Sequence, residues 1–440
     1  MKTIVMTVLC AGLLLTVSCG KPDDKAKAKP EGPITLTIAT SLYVEEPHQK
    51  ALDQLIAAYK NVKPNVEIKV YGSNYDNFWD NLTTEILAGN EADITQMYQE
   101  NIGRYHSLRL DGTFLPLDKY IRGTPYEKMT AQKYCEYKGQ YLAFSSYGTS
   151  TTAMFYRKSL LQKAGVNPAE IKTMDDLRSA SKKLTKDGVF AQGFVIAAHP
   201  FCVSEWSRII ARPVSKGIYF KNNEGEPYTP ETINCNSEEN IWAAKWWRDV
   251  YAADKTARAV NNKKATRELF WNGEVAMSHD GAWFIGMTEA RDPELMKDVD
   301  VFPLPSVNYN GANYQANPTL YAVVSLVSKK CKNPDAAWDF LSWMTTDEAQ
   351  KIIEVSGMVP ANPDYVEKSN YSGRNPLSYK IYSFMNDFYA GVLVSDPAIP
   401  EQGELQQIMI DAAQNIFANG GDAKKVLDAA AEKMKAVMKP

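Results

Sequence analysis

The segment Phe270–Trp283 holds the residues whose types and spacing are best suited to contacting a small ligand. Asn272-Gly273 predicts the end of a helix, because glycine takes the left-handed conformation there without steric cost. The apolar residues 275–277 predict a short buried strand, and Asp280-Gly281 predicts a turn in which Asp280 can cap the next helix. Trp283 would then stand just past a strand end, at a sheet edge where ligands bind. Its ring could cover an apolar face of a ligand, or it could pack in a core, as single tryptophans usually do.

Carboxylates and histidines are the groups that could make such a site catalytic. A glycan-cleaving enzyme needs two carboxyl groups about 5–10 Å apart across the scissile bond. The acidic candidates are Glu45, Glu100, Asp280 and Glu401, and their spacing singles out no pair. The sequence contains no G-x-S-x-G, H-E-x-x-H or P-loop pattern, and its four histidines and six cysteines lack the spacing of metal ligands. We therefore expect no enzyme, no cofactor and no metal.

Composition bounds the class of protein. The 440 residues suggest two or three domains, and 45% hydrophobic with 23% charged residues is ordinary for a soluble globular chain. A formal net charge of -3 gives no electrostatic reason to expect nucleic acid. The 24 tyrosines and 9 tryptophans are compatible with core packing, a protein interface or a sugar site, because such rings combine a large apolar area with a polar group.

The N-terminus predicts a targeting segment. Lys2 supplies positive charge, and residues 4–17 are apolar but short for a membrane span. Ser18-Cys19-Gly20 resembles the end of a bacterial lipoprotein signal, with Thr16 where that pattern prefers leucine; the alternative is an ordinary secretory signal with a chance cysteine. We expect residues 1–19 to be a lipoprotein signal peptide and Cys19 to carry lipid. Residues 20–32 are charged and nearly free of large apolar side chains, so they predict a disordered tether.

The chain after the tether predicts strands that alternate with helices. Strands are predicted at 33–39, 66–71 and 93–97, with helices at 47–59 and 78–87 between them. This βαβ order is typical of a parallel sheet with helices on its faces, which brings the strand ends to one edge. The residues at those ends are Tyr43, Asn74, Tyr75, Tyr98, Gln99 and Asn101. They could line a site or simply reflect loop composition.

The rest of the chain continues the alternation without an internal repeat. Further strands are predicted at 151–156, 189–198, 300–304 and 320–328. Further helices are predicted at 157–164, 172–184, 201–211, 237–253, 335–344, 347–355, 377–389, 405–419 and 422–438, and a hairpin or loop region at 215–236. Cys202 and Cys235 are the least distant of the remaining cysteines, and a disulfide or free buried thiols are both open.

Several stretches, taken in order, resemble the extracellular solute-binding proteins of ABC importers, in particular the sugar-binding family that includes maltose-binding protein. They are residues 139–156 leading into MFYRKSLLQKAG, residues 173–184, the F-x-x-G-x-x-A-M…G-x-W pattern of 270–283, and residues 328–350, 357–360 and 419–429. The resemblance covers nearly everything from Ile34 to Met438. Its strength lies in the ordered succession of these stretches behind a lipoprotein signal, since no single motif is specific.

The resemblance implies a two-lobed α/β fold of the periplasmic-binding-protein type. Each lobe would be a mostly parallel sheet flanked by helices, and the chain would cross the hinge three times. Lobe one would comprise residues 33–145 and 299–327, and lobe two residues 146–298 and 328–440. Ligand would bind between the lobes and close them, and the closed form would dock on the transmembrane subunits of an ABC permease. We expect an exported monomer, lipid-anchored to the bacterial cell membrane and facing the periplasm or the exterior.

Sugars present apolar C–H faces and a rim of hydroxyl groups, so aromatic rings and amide or carboxylate groups are the side chains that suit them. For lobe one the expected ligand contacts are Tyr43, Tyr98, Gln99 and Asn101, and for lobe two and the hinge they are Tyr147, Asp280 and Trp283. Further candidates are Tyr75, Trp79, Trp206 and Asn317, of which Trp206 could instead be core. The resemblance adds Glu401, in a loop that can lie near the cleft.

A solute other than a sugar is the main alternative. A site for an anion would place Arg or Lys at the strand ends, or bare helix N-termini. The predicted ends are aromatic and rich in amides instead, which favours a sugar or oligosaccharide over a polyamine, a peptide or an anion.

Overall fold

The computed structural model describes residues 32–73, 75–102, 112–186, 189–195, 200–389, 396–397 and 399–438. The predicted signal peptide, including Cys19, and the predicted tether up to residue 31 lie outside the described residues. Asn74 and the side chains of Tyr75 and Glu100, three predicted positions, lie outside them as well.

One mixed sheet organises the described chain. Its strands, numbered along the sequence, are β1 Ile34–Thr40, β2 Val66–Tyr71, β3 Ile94–Tyr98, β4 Gly148–Arg157, β5 Phe190–Val195, β6 Ala257–Val260, β7 Val275–Gly281, β8 Val299–Phe302, β9 Leu320–Val327 and β10 Val359–Pro360. Their spatial order is β2-β1-β3-β9-β4-β7-β5-β6, and β8 and β10 also pair with β4.

The sheet is parallel towards both ends and antiparallel in the middle. β1 runs parallel to β2 and β3, and β5 runs parallel to β6 and β7. The central strands β9 and β4 pair antiparallel with each other and with their other neighbours, β3 and β7. Strands β9 and β7 are buried along their whole length and β4 along all but its last residue, as expected for apolar strands covered on both faces.

Helices cover the two faces of the sheet. Those of six or more residues are Glu46–Val62, Tyr75–Ala88, Lys158–Lys163, Met174–Lys186, Pro200–Trp206, Glu238–Arg248, Lys263–Trp271, Trp283–Arg291, Pro334–Trp343, Asp347–Ile353, Pro363–Lys368, Pro376–Ser383, Gln402–Phe417 and Ala423–Val437. Wider π-type turns extend three of them, at Ser207–Ala211, Asp249–Ala253 and Phe384–Phe388.

The buried apolar side chains form two clusters. The first joins β1–β3 and β9 to the helices Pro334–Trp343 and Asp347–Ile353. The second joins β5 to the helices Met174–Lys186, Gln402–Phe417 and Ala423–Val437. The helix Pro334–Trp343 therefore packs with the first strands. The division into lobes at the expected residue boundaries stays a prediction.

Most predicted elements are present, with two corrections. Strand β7 continues through Asp280 and Gly281, which pair with Ala153 and Thr152 of β4, so the prediction of a turn there is wrong. The following helix has Ala282 at its N-cap and no side-chain cap, so Asp280 is not its capping residue. The predicted helix end at Asn272-Gly273 is confirmed, with Gly273 at a φ of 75°.

Residues 212–236, predicted in part as a hairpin or loop, contain three short helical segments at Arg212–Ser215, Lys221–Glu224 and Pro230–Thr232 and one isolated bridge between Phe220 and Ile233. The four cysteines of the described chain, Cys135, Cys202, Cys235 and Cys331, are buried and form no disulfide. Of the two possibilities for Cys202 and Cys235, the structure therefore has the buried thiols.

Candidate ligand-binding site

A cavity of about 300 Å³ opens at one edge of the central sheet. The C-terminal end of β3 contributes Tyr98, the C-terminal end of β7 contributes Asp280, and the N-terminal end of β9 contributes Tyr321. These ends meet because β9 runs antiparallel to β3, with Val323 opposite Tyr98. The volume is at the lower limit of ordinary small-molecule sites, which hold about 300–1,000 Å³.

Three rings form one wall of the cavity: Tyr98, Trp283 and Tyr321. The Trp283 ring stands edge-on to Tyr321, with centroids 5.3 Å apart and planes at 89°. Tyr98 lies 5.7 Å from Tyr321 and 6.3 Å from Trp283. Trp283 is the first residue of the helix Trp283–Arg291, so its indole is fixed where strand β7 passes into that helix.

Asp280 holds the indole in place. Its Oδ1 accepts hydrogen bonds from Trp283 Nε1 at 2.7 Å and from the Gly281 backbone N–H at 2.9 Å. Arg267 forms a bidentate pair with the same carboxylate: its Nε donates to Oδ2 at 2.8 Å and its Nη2 donates to Oδ1 at 3.0 Å. Burial alone would raise the pKa of Asp280, but the charges of Arg267 and Lys263 lower it below its ordinary value. The carboxylate is thus ionised, and both of its oxygens accept hydrogen bonds.

Gly281 lies directly against the Trp283 ring. A Cβ on Gly281 would collide with the Cη2, Cζ3 and Cζ2 atoms of that ring. Because only a glycine leaves this space empty, the sequence Asp280-Gly281-Ala282-Trp283 sets both the hydrogen bond and the resting position of the indole.

His279, Glu205 and Lys263 form a buried polar group beside this wall. His279 Nδ1 is 3.6 Å from Glu205 Oε2, and Lys263 Nζ is 3.1 Å from Glu205 Oε1. Burial raises the pKa of Glu205, but the Lys263 charge and the His279 contact bring it below its ordinary value. The pKa of His279 is lowered, first of all by burial, so the imidazole is neutral at neutral pH.

Glu45 and Arg208 also line the cavity. Arg208 donates to the Tyr321 hydroxyl, its guanidinium lies 5.3 Å from that ring's centroid, and its Nη2 is 4.0 Å from Asp396. Glu45 precedes the helix Glu46–Val62. Burial and the Asp280 charge raise the pKa of Glu45, and Arg267 acts in the opposite direction. Both acidic and basic side chains therefore line the cavity.

Of the residues predicted as ligand contacts, Tyr98, Asp280 and Trp283 meet at the cavity. Two others from the strand ends are engaged elsewhere. The Tyr43 hydroxyl donates to Asp53 at 2.7 Å on the neighbouring helix. The Gln99 amide bridges to β9, donating to the Leu320 carbonyl and accepting from the Ala322 N–H at 2.6 Å. Of the described side chains predicted at the ends of the first three strands, Tyr98 is the one that lines the cavity.

The remaining predicted residues also lie away from the cavity lining. Trp79 packs on Phe78, and Trp206 is fully buried against Phe417. Tyr147 is buried, with its hydroxyl 3.0 Å from His48 Nδ1. The others are Asn101, which donates to the Tyr98 carbonyl at 3.5 Å, the buried Asn317, and Glu401 at the start of the helix Gln402–Phe417. Whether any of them touches a ligand stays a prediction.

Several lining residues were not predicted from the sequence: Thr152, Ser204, Arg208, Asn262, Lys263, Lys264, Arg267, His279 and Tyr321. Three of them belong to one helix. Asn262 caps it by accepting from the Ala265 N–H at 2.9 Å, and Lys263 and Arg267 then lie one turn apart on the face towards the cavity. Basic residues four apart normally indicate a solvated helix face, so only the position of this helix reveals them.

This arrangement suits the reversible binding of a polar molecule that also has apolar faces. The three rings offer apolar surface, and the surrounding groups offer hydrogen-bond donors and acceptors. Among the described residues no cluster of three or more His, Cys, Asp or Glu side chains could hold a metal ion.

Family comparison identifies the class of protein. The sequence pattern of the bacterial extracellular solute-binding proteins matches residues 54–376, and the chain belongs to that family. Members of this family are binding proteins and not enzymes, which confirms the expectation from the absence of catalytic motifs. Within the described ranges, no helix combines the length and apolar character needed to cross a membrane.

Individual relatives are distant. The chain is 27% identical over 311 residues to the maltotriose-binding protein of Pyrococcus abyssi, a match that spans 69% of this chain and 61% of that protein. This chain thus covers less than two thirds of that relative's length. It is 23% identical over 410 residues to an arabinooligosaccharide-binding protein of Bacillus subtilis, covering 88% of each chain.

Solved structures share the fold. The crystal structure of an ABC transporter solute-binding protein from Thermotoga lettingae, bound with alpha-D-tagatose, superposes with a TM-score of 0.78 at 18% identity, covering 92% of this chain and 100% of that one. The expected two-lobed α/β fold of the periplasmic-binding-protein type is thereby confirmed.

Proposed function

We propose that this protein is the substrate-binding lipoprotein of an ABC importer and that it captures a sugar or oligosaccharide in the cavity beside Trp283. The observation that carries the proposal is the wall of three rings, Tyr98, Trp283 and Tyr321, in which the indole is fixed by Asp280. A fixed ring can cover the C–H face of a sugar without first losing rotational freedom. The names of the Pyrococcus and Bacillus relatives, which bind maltotriose and arabino-oligosaccharides, support the same class of ligand.

The charges around the cavity favour a neutral solute over an anion. Four basic side chains line it, but three have carboxylate neighbours: Arg267 binds Asp280 at 2.8 Å, Lys263 binds Glu205 at 3.1 Å, and Arg208 lies 4.0 Å from Asp396. Lys264, the fourth, is exposed to solvent. A free anion would have to compete with carboxylates that already satisfy these cations, whereas sugar hydroxyls can add to the network.

Binding would draw the two predicted lobes together. Glu45, Tyr98 and Tyr321 come from residues 33–145 and 299–327, and Thr152, Arg267 and Trp283 come from residues 146–298. A ligand that touches both sets makes more contacts when the lobes are closed, which is the differential affinity that a hinge motion requires. We propose that the closed form then delivers its ligand to the transmembrane permease subunits, and that the protein acts as a monomer.

A thermal-shift screen tests the ligand class directly. The panel contains maltotriose, arabinotriose, smaller neutral sugars and polyols, and a sugar phosphate and a dipeptide as non-sugar solutes. A ligand that binds only the native state at about 100 times its Kd stabilises it by about 2.7 kcal/mol, so the melting temperature rises measurably. Stabilisation by a neutral saccharide supports the proposal. Stabilisation by the phosphate or the dipeptide alone would replace it with the alternative of a non-sugar solute.

Membrane anchoring is a separate part of the proposal and rests on Ser18-Cys19-Gly20. Cys19→Ser removes the acylated thiol, so the exported protein should move from the membrane fraction to the soluble exported fraction. Ser18→Thr, which keeps Cys19, serves as the matched control. If the Cys19→Ser protein stays with the membrane as fully as the parent, the lipoprotein assignment is wrong.

A further inference from the structure

Two polar atoms of the cavity lining have no hydrogen-bond partner among the described residues: Thr152 Oγ1 and His279 Nε2. Both side chains are almost fully buried, at 5% and 6% exposure. Buried polar groups in proteins are nearly always paired, because an unpaired one has lost its hydration without compensation. Since both residues line the cavity, its occupant is the natural partner of these two atoms.

The two residues lie close together on adjacent strands. Thr152 of β4 pairs with Gly281 of β7, and Met154 pairs with His279, so Thr152 and His279 are diagonal neighbours on one face of the sheet. Diagonal neighbours on antiparallel strands have Cα atoms about 7–8 Å apart, a distance that a single sugar ring spans. Both line the same cavity as the three rings.

The state of the imidazole follows from its other nitrogen. His279 Nδ1 faces the Glu205 carboxylate at 3.6 Å, and the Lys263 ammonium holds that carboxylate at 3.1 Å. A negative charge beside Nδ1 favours the tautomer that carries its proton there. The lone pair of Nε2 is then left to accept a hydrogen bond from the cavity, while Thr152 Oγ1 can donate or accept.

We propose that His279 Nε2 accepts a hydrogen bond from one hydroxyl of the bound sugar, that Thr152 Oγ1 binds the same ring, and that Glu205 is the positioning residue that sets the His279 tautomer. This inference rests on the proposed function and assigns polar contacts of the site. A sugar without a hydroxyl at that position leaves Nε2 unpaired, and sites built to bind a hydroxyl discriminate strongly against such analogues.

Acid should weaken binding through the same atom. The charged groups around His279 are Glu205 on the helix Pro200–Trp206, Lys263 and Arg267 on the helix Lys263–Trp271, Asp280 on its own strand, and Glu45 and Arg208, which line the same cavity. Only the neutral imidazole can accept a hydrogen bond at Nε2. Sugar affinity is therefore highest above the His279 pKa and falls as the pH drops through it. That pKa lies below the ordinary histidine value because of burial. Glu45, whose pKa is raised first of all by burial, also titrates in acid and needs its own control.

The first experiment needs no ligand. Nitrogen-15 NMR of the imidazoles in the intact protein at about pH 8, with His279 assigned by comparison with His279→Gln, should show a proton on Nδ1 and none on Nε2. In Glu205→Gln the preference for the tautomer with its proton on Nδ1 should decrease or reverse, because the carboxylate beside Nδ1 is gone. A proton on Nε2 of His279 in the unaltered protein would overturn the inference.

The second experiment is a calorimetric titration with the saccharide of the panel that binds most tightly, maltotriose being the first probe. His279→Leu should weaken binding roughly tenfold and Thr152→Val roughly fivefold, each through one lost hydrogen bond. Ser278→Ala is the matched control: Ser278 is buried on the same strand and does not line the cavity, so its variant should bind normally. The fall in affinity as the pH drops below the ordinary histidine pKa should flatten in His279→Gln and persist in Glu45→Gln.

The outcomes separate the two proposals. Sugar binding that His279→Leu and Thr152→Val leave unchanged, with melting temperatures showing folded variants, would overturn this inference and leave the proposed function standing. Failure of the unaltered protein to bind any saccharide would overturn the proposed function and this inference with it.

Discussion

Two ionic clusters, to which Glu205 and Arg212 contribute from neighbouring turns of the chain, are used differently. The cavity cluster consists of Arg267, Asp280, Lys263 and Glu205. The interior cluster consists of Arg212, Glu224 and Asp396, in which Arg212 is fully buried and lies 3.5 Å from Glu224 and 2.5 Å from Asp396. Both are built from the same chemical groups, so residue type alone does not tell them apart.

The difference is what each cluster holds in place. In the interior cluster the Glu224 carboxylate also accepts from the backbone N–H groups of Ile218, Tyr219 and Phe220. Arg212 donates to Thr319 at 3.2 Å. In the cavity cluster the same kinds of bonds fix a ring, Trp283, and a cavity-lining histidine whose buried Nε2 has no hydrogen-bond partner among the described residues. A buried charge cluster indicates function when it holds something that points into a cavity.

The interior cluster should show the largest effect of a single substitution. Arg212→Met leaves Glu224 without its cation in the interior and leaves Asp396 with Arg208 at 4.0 Å, which should cost about 3–5 kcal/mol of unfolding free energy. Arg212→Lys, which keeps the charge but not the planar fork, should cost less. Chemical denaturation measures both. Sugar affinity of the folded variants should stay near that of the parent. A large loss of affinity at unchanged stability would erase the distinction between the clusters.

A substitution in the aromatic wall should lower sugar affinity more than stability, the reverse of the interior cluster. Trp283→Ala removes a ring from the cavity and should weaken sugar binding by about 1–3 kcal/mol, roughly tenfold to more than hundredfold in Kd. Trp247, which is 1% exposed in the second apolar cluster, is the matched core residue. Trp247→Ala should cost about 3–5 kcal/mol of stability and leave affinity nearly intact. The melting temperature without ligand and the calorimetric affinity are measured for both variants. If Trp283→Ala loses stability and keeps affinity as Trp247→Ala does, Trp283 is a core residue too.

Gly281 should give the smallest effect, and it tests how the ring is held. Gly281→Ala places a methyl group against the indole, and overpacking of this kind costs about 1–3 kcal/mol, part of which the ring can relieve by moving. Affinity should fall because the ring no longer rests on Asp280-Gly281. In a Trp283→Ala background the same substitution should have almost no effect on affinity, since the atoms that it meets are gone. Independent, additive effects in this double-mutant cycle would contradict the proposed contact.

The region around Trp283 shows how far sequence reasoning reaches. Asn272-Gly273 and the apolar run after it predict the helix end and the strand, because both signals depend on neighbours in sequence. The assignment of Asp280-Gly281 as a turn fails because β4, more than a hundred residues earlier, pairs with both residues and extends the strand. A local turn signal cannot report a partner that the fold supplies from elsewhere.

The site was predicted in part for the same reason. Tyr98, Asp280 and Trp283 stand at strand ends, which the alternation of elements places at one edge. Tyr43 and Gln99 have the same chemistry and similar positions, yet their polar atoms bind Asp53 and β9. Thr152 and His279 lie within apolar-looking strands, and only the register between β4 and β7 brings them together. Strand β6 was missed because its four residues carry too short a pattern.

The central position of β9 has a consequence for the order in which this molecule can be made. Strand β3 has β9 as its inner neighbour, with Tyr98 opposite Val323, so its inner edge has no partner until residues 320–327 have left the ribosome. Pairings this distant in sequence form slowly. We expect a nascent chain to remain incompletely folded through most of its synthesis.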